Sequence, residues 1–100
     1  MNASALAARL REHFDLVHIE VEDQSDRHRH HREAGGGGHY QVVLVTADFE
    51  NKSPMERHRL VYQALASEMG TTIHALALTT LTPNQWRAGR SPSEIGGTTP

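Results

Sequence analysis

Between Arg27 and Tyr40 the chain reads RHRHHREAGGGGHY, which brings His28, His30, His31 and His39, half of its eight histidines, into fourteen residues beside four consecutive glycines. Neutral imidazole is the commonest side-chain ligand of borderline transition metals, so metal ligation is the first chemistry such a cluster offers. The H-x-H-H spacing alone is weak, because three imidazoles on a solvated loop also bind divalent ions adventitiously. Glycine leaves a loop unconstrained until a partner orders it, and a tethered cluster of this kind can swing an imidazole toward a site elsewhere. The chain has no cysteine, which removes disulfides, thiol nucleophiles and thiolate metal sites that it could build alone. A metal site here must rest on His, Asp or Glu.

A second histidine of interest is His74 in TTIHALALTT, where simple alternation puts it on the same strand face as Leu76 and Leu78. A lone histidine on such a face is more often a packing residue than a ligand. The third group is Arg57, His58 and Arg59 in ERHRLVYQAL, near a helix start that could lie against phosphates or serve as a docking surface. The G-x-x-G clamp of single-strand-binding KH domains is missing, since no glycine occurs between Tyr40 and Met69. There is no P-loop, no H-E-x-x-H and no Ser-His-Asp ordering, and an enzymatic role is not expected.

These side chains need elements to position them. One hundred residues allow a single core. Ten Lys and Arg against twelve Asp and Glu leave no basic excess of the kind a strong nucleic-acid binder carries. No run of eighteen apolar residues occurs, and the charged N-terminal stretch MNASALAARLREHF matches neither a spanning helix nor a secretory signal, so a cytoplasmic location without membrane attachment is expected.

Ala3, Leu6, Ala7, Leu10 and Phe14 recur at helical spacing. LVHIEVED alternates, with Val17, Ile19 and Val21 on the face expected to be buried and His18, Glu20 and Glu22 on the wet one. The histidine segment follows from Gln24 to Gly38. HYQVVLVTADF is apolar on both faces and belongs inside the sheet, pairing with the first strand as a long-looped hairpin. SPMERHRLVYQALASEMG opens with Ser53 as N-cap, Pro54 at the first helical position and Glu56 completing a capping box; Val61, Ala64, Leu65 and Met69 form its stripe and Gly70 its stop. TTIHALALTT is a third strand, and TPNQW repeats the cap-then-proline signal for a short helix carrying Trp86 to the core. The order α-β-β-α-β-α predicts an α+β two-layer sandwich, a three-stranded mixed sheet with helices on one face. The domain is expected to span 1–87, with a disordered tail over 88–100.

The stretch GGGGHYQVVLVTADFENKSPMERHRLVYQALASEMGTTIHALALTTLTPNQW resembles the BolA family, with RHRLVYQAL, IHALAL and TP..W as its most specific parts. The resemblance implies a class II KH-like fold. It also implies a partnership with a monothiol glutaredoxin around a shared [2Fe-2S] cluster, to which the partner brings its active-site cysteine and a bound glutathione thiol. No cofactor is expected on the isolated chain. One ligand from the BolA-like side is the histidine of the HALAL strand, here His74. The other comes from the loop between the first two strands, where the resemblance places His28, with His31 and His30 as alternatives and His39 as a less favoured one. Iron–sulfur clusters accept imidazole in place of thiolate, as in Rieske centres, whereas histidines alone cannot assemble one. Family members have also been described as transcriptional regulators, which makes DNA binding through the basic start of the 54–69 helix the alternative.

Overall fold

In the computed structural model, residues 2–24 and 38–89 are described. His28, His30 and His31, and the tail beyond residue 89, lie outside the described residues. The elements are α1 (Ala3–His13), β1 (Leu16–Asp23), β2 (Gly38–Thr46), α2 (Pro54–Ala64), β3 (Ile73–Leu81) and α3 (Pro83–Gly89), with a 3-10 turn at Ala47–Phe49, in the predicted order. The sheet runs β1-β2-β3, with β1 antiparallel and β3 parallel to β2. A parallel pair needs a crossover, and α2 supplies it. The apolar run Val42–Val45 is buried on both faces, as expected for the central strand.

The helices start where their capping residues dictate. The Asn2 side chain accepts from the Ala5 N–H. Ser53 and Glu56 form the reciprocal capping box of α2. Thr82 and Gln85 do the same for α3, each side chain accepting from the other's backbone N–H.

Leu6 and Leu10 of α1, Phe14 at its C-cap and Val61 of α2 pack with Leu65, Phe49 and Ile73 on Tyr40, Val42 and Leu44, forming the main core on one face of the sheet. Each of these aliphatic side chains contributes about 1.5–3 kcal/mol relative to exposure. The opposite face carries a smaller cluster, Val43, Val45 and Leu81, against which Trp86 of α3 packs. The prediction of helices on one face therefore holds for α1 and α2. The short α3 turns its tryptophan onto the other face, because the odd-numbered β2 side chains needed a cover there.

Two further expectations are corrected. Val17 is 62% exposed rather than buried, since the β1–β2 register shifts between Leu16 and His18 and leaves it outside the ladder. The helix after Pro54 ends at Ala64, six residues before Gly70. Leu65 to Thr72 form a knot of turns in which Gly70, at φ 84°, donates to the Ile73 carbonyl while Ile73 donates back to Glu68. An ion pair between Arg9 and Glu68 at 2.9 Å ties this knot to α1.

Candidate metal centre

The pairing of β2 with β3 runs Gly38 to Ile73 and then His39 to Ala75, so β3 holds one extra residue, His74, at a register slip. Because of that slip, Ile73, Leu76 and Leu78 all join the main core. His74 is not on the face of Leu76 and Leu78, where alternation puts it. It is exposed, and its ring lies against that of His39, with centroids 5.1 Å apart and planes at 39°. Among the described residues, the site thus brings together His74 and His39, the least favoured of its predicted partners; His28, His30 and His31 lie outside the described residues.

His39 is held by its backbone from both sides. Gln24 of the β1 end donates to its carbonyl at 2.7 Å, and the preceding Gly38 donates to Thr72 at 3.0 Å. Gly38 cannot be replaced freely: a Cβ there would lie 2.5 Å from Cε2 and 2.7 Å from the hydroxyl of Tyr40, whose ring is buried at 2% exposure. Burial, and secondarily the charge of Asp23, push the Tyr40 phenol above its usual range. At least this last glycine of the run therefore serves close packing rather than reach. Among the described residues, no third His, Cys, Asp or Glu joins the pair to make a three-donor group.

At the far end of the same face, His18 stacks on Trp86 with centroids 4.5 Å apart and planes 20° from parallel, and its Nε2 donates to Glu20 at 2.7 Å. The strand alternation that puts His18 on the wet face and the TP..W signal for Trp86 were both legible, but their meeting required α3 to fold back.

The basic group on α2 divides. Arg57 is buried, not a surface contact: its guanidinium donates to the carbonyls of Lys52 and Thr80 and to Gln85, and it lies 5.9 Å from the Phe49 ring centre. Burial lowers its pKa by disfavouring the charged form. Its position four residues before Val61 and eight before Leu65 carries the signal for this. His58 is half-buried, and burial, then the Arg57 charge, holds its imidazole below the ordinary range. Arg59 is exposed and lines a shallow cleft with Lys52, Asn51 and Glu56. The Glu56 carboxyl is held low by the Ser53 backbone N–H, so the cleft is of mixed charge. On the exposed side of α2, Met55 is 70% and Tyr62 39% exposed, and the Tyr62 hydroxyl donates to the Leu76 carbonyl of β3.

The family described as BolA-like protein matches residues 10–85, a span that takes in both histidines of the pair, the capping boxes and the knot before β3. The chain belongs to the BolA family. It is 45% identical over 78 residues to the DNA-binding transcriptional regulator BolA of Escherichia coli (strain K12), covering 78% of this chain and 72% of that one. It is 38% identical over 98 residues to BolA-like protein 1 of Homo sapiens, covering 94% and 70% of the two chains. The crystal structure of a bol-like protein from Babesia bovis superposes with a TM-score of 0.75 at 33% identity, covering 91% of this chain and 95% of that one. These BolA relatives are named as regulators or BolA-like proteins rather than as enzymes, and none of the described helices is long and apolar enough to cross a membrane.

Proposed function

We propose that this BolA-family chain is a non-enzymatic accessory protein that docks on a monothiol glutaredoxin and gives imidazole ligands to a [2Fe-2S] cluster held between them, in cluster trafficking or in iron and redox sensing. The observation that carries this reading is the exposed His74, set out of the core by a register slip, at the open edge of the sheet and beside a second imidazole. The donor set fits one half of a mixed site: imidazoles are present and cysteine is absent, so the thiols must come from the partner and its glutathione. When bound, such a cluster supplies iron that accepts imidazole and exchanges electrons. The chain's own residues hold His74 at a fixed place on β3 through the Glu68–Ile73 turn. Exposed Tyr62 and Met55 offer apolar contact along the flank of α2. With two imidazoles on the iron the cluster would be more oxidising and more sensitive to pH than with four thiolates.

The test is a titration of [2Fe-2S]-loaded monothiol glutaredoxin and glutathione with this protein, followed by visible absorption and circular dichroism. A change saturating at one to one and lost with His74→Ala supports the reading; an unchanged spectrum with the wild-type chain sinks it.

The second reading is DNA binding, favoured by the name of the Escherichia coli relative and by exposed Lys52 and Arg59. It is weakened by the burial of Arg57 and by Glu56 in the same cleft. It predicts salt-dependent duplex binding that falls with Arg59→Ala and is indifferent to His74→Ala.

A further inference from the structure

We infer that His39 is the second ligand, so that the chain gives the strand pair His39 and His74 to a single iron. This rests on the cluster reading above and deepens it. The argument is first one of distance. A tetrahedral metal holds an imidazole nitrogen at about 2.0–2.1 Å, which puts each ring centre roughly 3.2 Å from the metal and two such rings about 5 Å apart. The His39 and His74 centroids are separated by 5.1 Å. The planes are inclined by 39° rather than stacked, which distinguishes this contact from that of His18 on Trp86 at 4.5 Å and 20°.

The second argument is preorganisation. A ligand held by rigid elements loses little freedom when the metal arrives. His39, the second residue of β2, has its carbonyl bonded to Gln24 and its neighbour Gly38 bonded to Thr72, while Tyr40 packs back over Gly38. His74 follows Ile73, which is fully buried and bonded into the turn that precedes it. The register slip that turns Ile73, Leu76 and Leu78 to the core also releases His74 from that face and delivers it to the neighbouring strand's histidine. Placing two imidazoles on one iron leaves the other iron to the partner's thiols, the distribution found in Rieske centres.

The experiment uses the full chain labelled with 15N-histidine in complex with [2Fe-2S]-loaded glutaredoxin and glutathione. Pulsed EPR of the reduced cluster counts the coupled nitrogens, and visible circular dichroism gives the affinity. Two coupled nitrogens are expected for the wild-type chain and also for a triple His28→Ala, His30→Ala, His31→Ala variant. Loss of outer-shell groups alone typically weakens metal sites 10–100-fold, so removing the ligand by His39→Ala should weaken the complex by about a hundredfold or more. His39→Gln repeats the test with a polar side chain, and a native far-UV spectrum for either variant excludes simple unfolding. Unchanged affinity and two coupled nitrogens in the folded His39 variants would overturn the inference while leaving shared ligation standing, as would loss of a nitrogen in the triple variant. If the wild-type chain never alters the cluster's spectrum, the cluster reading falls and the assignment of His39 falls with it.

Discussion

His18 and His39 sit on the same open face of the sheet, six residues of β2 apart in register and so about 20 Å from one another, and each meets another ring. His18 meets Trp86 and Glu20, a hydrophobic plate and a carboxylate, so its contacts fasten α3 to the small cluster of Val43, Val45 and Leu81. His39 meets the imidazole of His74, which brings neither a large apolar surface nor an opposite charge. The first contact stabilises the fold. The second joins β2 to β3 at the slip that also turns Ile73, Leu76 and Leu78 toward the main core. The same division runs through α2, where buried Arg57 holds the Thr80 carbonyl and Gln85 while Arg59, two residues on, faces water.

The largest effect that would sharpen this contrast is expected from Trp86→Ala. Removing the cover of the small cluster should cost about 3 kcal/mol in urea denaturation followed by far-UV circular dichroism, and a cost no greater than that of a surface change would mean that α3 does not hold this face. Gly38→Ala forces a methyl into the buried Tyr40 ring and is expected to destabilise by about 2 kcal/mol in the same measurement. His18→Ala should lose the stacking and the Glu20 pair, together worth about 1 kcal/mol. By contrast, His74→Ala should change stability by less than about 0.5 kcal/mol, so a loss comparable to that of His18→Ala would erase the distinction between the two ends.

The smallest predicted effect concerns His58. Its folded pKa is depressed by burial, so the fold favours the neutral ring, whereas the unfolded ring titrates near about 6.5. The stability it contributes is present above that value and is lost as pH falls below it toward the folded pKa. His58→Gln should therefore flatten the decline in denaturation midpoint over that acid window; an unaltered slope would place the decline in other groups.

Much of this architecture is legible in local signals. The capping boxes at Ser53 and Thr82, the helical stripe of Leu6, Leu10 and Phe14 and the doubly apolar Val42–Val45 each name their element and its place in the fold. Where alternation misleads, at Val17 and His74, the cause is the same: a strand's register belongs to its pairing with a neighbour and leaves no mark in its own sequence. Arg57 is intermediate, since its helical spacing with Val61 and Leu65 points inward although its charge suggests the surface.

The sequence by itself determined that the elements would alternate as α-β-β-α-β-α and that any metal site built by this chain would rest on His, Asp or Glu without a thiolate, because periodicity and residue chemistry are local properties. Only the tertiary structure decided that, among the described residues, His39 and His74 meet. The His39–His74 contact depends on a one-residue slip between parallel strands that α2 separates in the chain, and Gly38, Tyr40 and the turn before Ile73 hold that slip together.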